Sequence, residues 1–145
     1  MKKRQAGVAI VEFALILPFL LLLTFLTTEF GRAIWQYNTL TKSVRDAARY
    51  LSVQTPGTHI TEARNLMVYG NIAGTGNPLA LGLSLTNVPT GTCCTWQTAG
   101  SVPVINTVTV RISGYSFQSI FNSVLGLPFG TVAFSDITAT MRSHL

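Results

Sequence analysis

From Val8 to Thr28 only Glu12, Thr24, Thr27 and Thr28 interrupt an otherwise apolar run. As a helix these 21 residues extend about 31 Å, close to the thickness of a bilayer's hydrocarbon core. Pro18 lies inside the run. It has no amide to donate to the Ala14 carbonyl, so the sequence predicts a kink or a loosened turn there. Beyond Thr28 the pattern changes from continuous to periodic. Phe30, Ala33, Tyr37, Leu40, Val44, Ala47 and Leu51 recur at spacings of three and four, one apolar stripe along a helix. Lys42, Arg45, Asp46 and Arg49 fall off the stripe, and Gln54-Thr55-Pro56-Gly57 ends it. The spacing therefore predicts one helix from Val8 to Val53, 46 residues or about 69 Å. The stripe can seat a globular head or a second helix.

The remaining pattern is shorter in range. Thr58–Tyr69 reads as a second helix, with Thr58 or Thr61 as its cap, Glu62 in its first turn and Gly70 after its end. Its apolar face is Ile60, Ala63, Leu66 and Met67. Asn71–Pro103 holds five glycines and three prolines. It reads as a loop with a short strand around Leu79–Leu85, a functional surface or a variable insertion. Val104–Tyr115 alternates Val108, Val110 and Ile112 with Thr107, Thr109 and Arg111, the period of a strand with one buried face. Phe117, Ile120, Phe121, Val124 and Leu125 return to helical spacing, stopping at Gly126 and Pro128. Thr131–Met141 alternates again on Ala133, Ile137, Ala139 and Met141. The two strands should pair antiparallel, with their apolar face on the stripe of the long helix. The fold class is α+β: a long N-terminal membrane-spanning helix packed by a small antiparallel sheet with short helices.

Charge sharpens this division. Ten basic and five acidic side chains give a net charge of +5, but three of the basic ones are Lys2, Lys3 and Arg4. Without residues 1–7 the balance is 7 − 5 = +2. The basic excess belongs to a leader that holds the N-terminus in the cytoplasm, and a nucleic-acid partner is not expected. From Asn65 to Ser135 the only charged residue is Arg111. That stretch is suited to a neutral polar surface or to cover by neighbouring subunits. The expected organisation is a leader over 1–7, a transmembrane part over 8–28 and an extracytoplasmic domain over 29–145.

Candidate chemistry is sparse. His59 and His144 are far apart in sequence, with no metal-spaced cluster beside them, and no phosphate-binding or nucleophile-elbow motif occurs. No catalytic residue, metal or cofactor is expected. Arg111 and Asp136 lie on the two expected strands and can form a structural cross-strand pair. The only cysteines, Cys93 and Cys94, are adjacent. They are open to a strained vicinal disulfide, an intermolecular bridge or no bond at all.

Glu12 is the residue that most needs a partner. A carboxylate at the centre of a bilayer costs about 3 kcal/mol on insertion scales. Cutting after Gly7 would create an ammonium at Val8, one helical turn from Glu12. If subunits stack with an axial offset, the ammonium of one could pair with the carboxylate of the next and so report correct register.

These residues carry a resemblance. Arg4-Gln-Ala-Gly7-Val-Ala-Ile-Val-Glu12-Phe13, then Pro18 and the leucines, then Glu29-Phe-Gly-Arg32, resemble the TadE-like pseudopilins, minor pilins of the tight-adherence (Flp) type IVb pilus. Tyr37-Asn38, Ala47-Ala48-Arg49-Tyr50 and the closing strand with Met141-Arg142 are also similar to that family. The likeness is dense over residues 4–51, thinner over 104–142 and absent from 71–103. It implies that Gly7 and Val8 flank the bond cut by a prepilin peptidase, and that Glu12, with Phe13 beside it, serves processing or assembly. It further implies a structural protein in the inner membrane, crossing it once, with its C-terminal domain outside. Its partners would be the peptidase, other pilins and pseudopilins, the inner-membrane assembly platform and membrane lipid. Two other readings compete on the residues alone. One is an uncleaved membrane anchor that presents residues 71–103 as a recognition surface. The other is a secreted protein with a removable signal peptide. The secreted reading is the weaker, because the apolar region exceeds the usual length of roughly 7–15 residues and no small-residue cleavage site ends it.

Overall fold

A computed structural model describes residues 5–101, 103–120, 123–124, 127–128 and 131–143. The chain divides into two units, Met1–Ile34 with Ser119–Gly130, and Trp35–Gln118 with Thr131–Leu145. The architecture is α+β, as the pattern predicts.

Helix α1, Gln5–Ser52, begins in the first unit and continues into the second, with an unbroken helical assignment through Pro18. Its apolar portion is long enough to cross a membrane, and none of the most apolar stretch is buried within the protein. The threonines in that stretch satisfy themselves locally. Thr24 Oγ1 donates to the Leu20 carbonyl at 2.8 Å, and Thr28 Oγ1 donates to the Thr24 carbonyl at 2.8 Å. A hydroxyl bonded back to its own helix removes the cost of an unmet donor in lipid. The first unit also contains strands β4 (Ser123–Val124) and β5 (Leu127–Pro128), paired antiparallel.

The second unit holds the core. Helix α2 spans Ile60–Tyr69, and a 3-10 turn spans Leu85–Asn87. Strands β1 (Cys94–Ala99), β2 (Ile105–Ile112) and β7 (Ile137–Arg142) form an antiparallel sheet in the order β1-β2-β7. Strands β3 (Ser116–Phe117) and β6 (Val132–Ala133) make a second short ladder. In register, Cys94 and Ala139 flank Val110, and Trp96 and Met141 flank Val108. Val108, Val110 and Ile112 are buried, as their alternation predicts. They share one cluster with Leu40, Val44, Ala47 and Leu51 of α1 and with Ala63, Met67 and Val68 of α2. On the outer face Thr109 and Thr140 hydroxyls hydrogen-bond across β2 and β7 at 2.8 Å.

Several sequence expectations need correction. The helical spacing over 117–125 does not make a helix where the structure is described: Ser116–Phe117 and Ser123–Val124 are strands. Phe121, Leu125 and Gly126 lie outside the described residues. Pro128, read as a helix stop, is paired with Ser123 in a hairpin. No strand forms at Leu79–Leu85. That segment instead contributes Ala80 and Leu83 to the core, and Val88 follows. Within the expected loop, 94–99 is a strand. The expected strand 131–141 is two strands, with Phe134 N donating to the Tyr115 carbonyl at 3.0 Å between them. Helix α2 is capped by neither threonine. His59 occupies the cap in a left-handed conformation with φ 56°, and Gly70 closes the other end at φ 73°.

The stripe on α1 holds from Leu40 onward and drifts before it. Phe30 is 71% exposed and Tyr37 42% exposed, whereas the preceding residues Glu29 and Gln36 are buried. A straight helix drifts by roughly 20° per heptad against a strict seven-residue repeat. The buried face therefore takes in polar side chains that an apolar-only reading passes over.

Candidate processing and assembly site

Gly7, Val8, Glu12 and Phe13 all lie on α1. Val8 and Glu12 are four residues apart, hence neighbours along one face of the helix. Val8 is 63% and Phe13 59% exposed, and Glu12 is also exposed. Among the described residues Glu12 makes no ion pair. The segment is an apolar cylinder with a single carboxylate, presented outward. The helix starts at Gln5, so the Gly7–Val8 peptide bond sits within helical backbone. A peptidase would have to unwind the first turn to reach it, and helix termini open readily. Nothing lies within 4 Å of a Cβ built on Gly7.

A charged pair does form further along the same helix. Arg32 Nη1 donates to Glu29 Oε1 at 2.7 Å, an i,i+3 pair in which the Glu29 side chain is 7% exposed. Glu29 Oε2 is buried without a hydrogen bond among the described residues. The Glu-Phe-Gly-Arg sequence thus encodes a local ion pair that brings a carboxylate under cover. A buried charge is tolerated only with such a partner.

In the second unit the geometry gathers groups the pattern alone did not connect. Tyr115 follows β2, and its hydroxyl meets Gln36 Oε1 of α1 and the Leu81 carbonyl. The signal for Gln36 was faint: a lone amide one position off the apolar stripe. Arg64 on α2 donates from Nε to the Val88 carbonyl at 2.6 Å and from Nη2 to the Leu85 carbonyl at 3.1 Å. It thereby ties α2 to the turn that leads into β1. Cys93 and Cys94 are both buried and carry free thiols. The neighbouring Cys94 thiol holds Cys93 below its ordinary value, with help from Arg64 and against the opposing effect of burial. Sharing its proton with Cys93 and its own burial push Cys94 far up. Arg111 and Asp136 form the expected ion pair at 3.5 Å, both side chains being partly solvated, but Asp136 lies just before β7 and not on it.

Residues 7–49 match the family model described as TadE-like protein. The matched span starts at Gly7 and includes Glu12, Phe13, Pro18, the Glu29–Arg32 pair and the helix as far as Arg49. The likeness over 104–142 lies beyond it. No curated protein and no solved structure matches the chain.

Proposed function

We propose that this chain is a structural minor pilin, a pseudopilin of a Tad/Flp type IVb pilus. In this reading it is cut after Gly7 and acts in pilus assembly, priming and surface adhesion. One coincidence carries the reading: the TadE-like match begins at Gly7, where the outward-facing apolar stretch of α1, residues 8–28, carries its lone carboxylate five residues later.

The mechanism follows from charge and geometry. The basic leader holds the N-terminus in the cytoplasm, and the apolar run anchors the precursor in the inner membrane. Cleavage by a prepilin peptidase removes Lys2, Lys3 and Arg4 and leaves an ammonium on Val8. The same run, whose most apolar stretch is not buried within the described protein, then packs against neighbouring pilins and pseudopilins delivered by the assembly platform. An ammonium and a carboxylate surrounded by apolar side chains attract strongly, and either one left alone is costly. Correct axial offset satisfies both charges; any other offset leaves both unmet.

Edman sequencing of the protein recovered from membranes tests the reading. A start at Val8 is expected. A start at Met1 would make the chain an uncleaved anchor, and a start near residue 30 a secreted protein.

A further inference from the structure

We propose that Cys93 and Cys94 are a thiol-disulfide modification site. In it, a disulfide-bearing oxidant of the extracytoplasmic compartment joins the two adjacent sulfurs into a vicinal disulfide. The structure favours this over a bridge to another chain. The two residues are 1% and 7% exposed, so a local opening that admits a small disulfide is still too narrow for the surface of a second folded protein. They are the only cysteines in the chain, and successive side chains of an extended strand point to opposite faces. Here the bend at Cys93, just before β1 begins at Cys94, lets both side chains be buried side by side.

The surrounding bonds define what oxidation changes. Cys93 N donates to the Pro89 carbonyl at 2.9 Å, and Arg111 N donates to the Cys93 carbonyl at 2.8 Å. Arg111 Nη2 also donates to the Thr92 carbonyl at 3.3 Å. Closing an eight-membered ring through the 93–94 peptide twists that peptide. The twist acts on the entry to β1 and on the turn that Arg64 holds through Val88 and Leu85.

The chemistry balances as two thiol-disulfide exchanges. The Cys93 thiolate, supported by Arg64 and by the Cys94 S–H, attacks one sulfur of the oxidant R–S–S–R and releases R–S⁻, which takes up the proton lost by Cys93. The Cys94 sulfur, losing its proton to solvent base, then attacks the Cys93 sulfur of the mixed disulfide. That forms the Cys93–Cys94 bond and expels the second thiol. Two cysteine thiols are oxidised and one disulfide is reduced to two thiols. Because both sulfurs are covered, exchange proceeds while the 89–93 turn is open, either during export or by local unfolding.

The inference rests on the proposed topology, which puts the second unit outside the cytoplasm, but not on cleavage or pilus assembly, and its test fails separately from theirs. The test uses the full chain in detergent micelles, treated with oxidised glutathione, acid-quenched, denatured and alkylated before peptide mass spectrometry. The peptide carrying both cysteines should lose two hydrogens and refuse alkylation, and a reductant should restore both. Cys94→Ser should trap glutathione on Cys93. Two alkylated thiols after oxidation, or a disulfide-linked dimer on a non-reducing gel, would each overturn the proposal.

Discussion

The Tyr115 hydroxyl shares its proton between Gln36 Oε1 at 2.9 Å and the Leu81 carbonyl at 3.0 Å. Both Tyr115 and Gln36 are buried. One phenol thus ties α1 to the segment after α2 and to the end of β2, three pieces far apart in sequence. Tyr115→Phe removes the donor and leaves a buried acceptor on Gln36 and a partly buried one at Leu81. It should cost about 1–3 kcal/mol of unfolding free energy, read by chemical denaturation of the full chain in detergent. Gln36→Met should cost less, because the Leu81 carbonyl still accepts from Tyr115. Equal costs would show that the amide does more than accept this bond.

Leu51→Ala tests the sheet-on-helix core. Leu51 is fully buried in one cluster with Val108 and Val110. Removing its side chain should cost about 2–5 kcal/mol, through lost transfer energy and a cavity. A value under about 1 kcal/mol would mean that this end of α1 does not carry the sheet.

Asp136→Asn should do little by comparison. The Arg111–Asp136 pair is 3.5 Å long, with side chains 40% and 46% exposed. Exposed pairs contribute roughly 0–1 kcal/mol. The denaturation midpoint should move slightly and become no more sensitive to salt.

Gly7→Leu isolates processing from folding. Space around Gly7 is open within the protein, so a larger side chain there leaves the fold intact. The uncut precursor should accumulate in membranes with an unchanged denaturation midpoint. Efficient cutting of this variant would show that the peptidase does not read the residue before the bond.

Glu12→Ala should leave the protein in the membrane and abolish surface pili in a complementation assay. Glu12→Gln, which keeps size and polarity but not charge, should also fail if pairing with the Val8 ammonium sets the register. Normal piliation by either variant would sink the register role. Glu12 is exposed on α1, so neither substitution disturbs the fold.

The sequence by itself determined what depends on neighbours along the chain. The apolar run, Glu12 at its place in it, the helix as far as Ser52 and the alternation of β2 were all legible, because helix and strand periodicity are local properties. So was the Arg111–Asp136 pair, although Asp136 lies just ahead of its strand. Tertiary structure alone decided the rest. Strand β1 shows only the brief alternation of Cys94 and Trp96 in a glycine-rich stretch, and pairing with β2 is what makes it a strand. The apolar spacing after Phe117 suits a helix equally well until pairing of Phe117 with Val132 selects extended backbone. Gln36 is buried because an acceptor was needed by Tyr115, 79 residues away. Cys93 and Cys94 turn inward together because a bend precedes the strand. A long-range hydrogen bond or strand pair can outweigh a short local preference, since an unmet buried polar group costs more than propensity differences of less than about 1 kcal/mol.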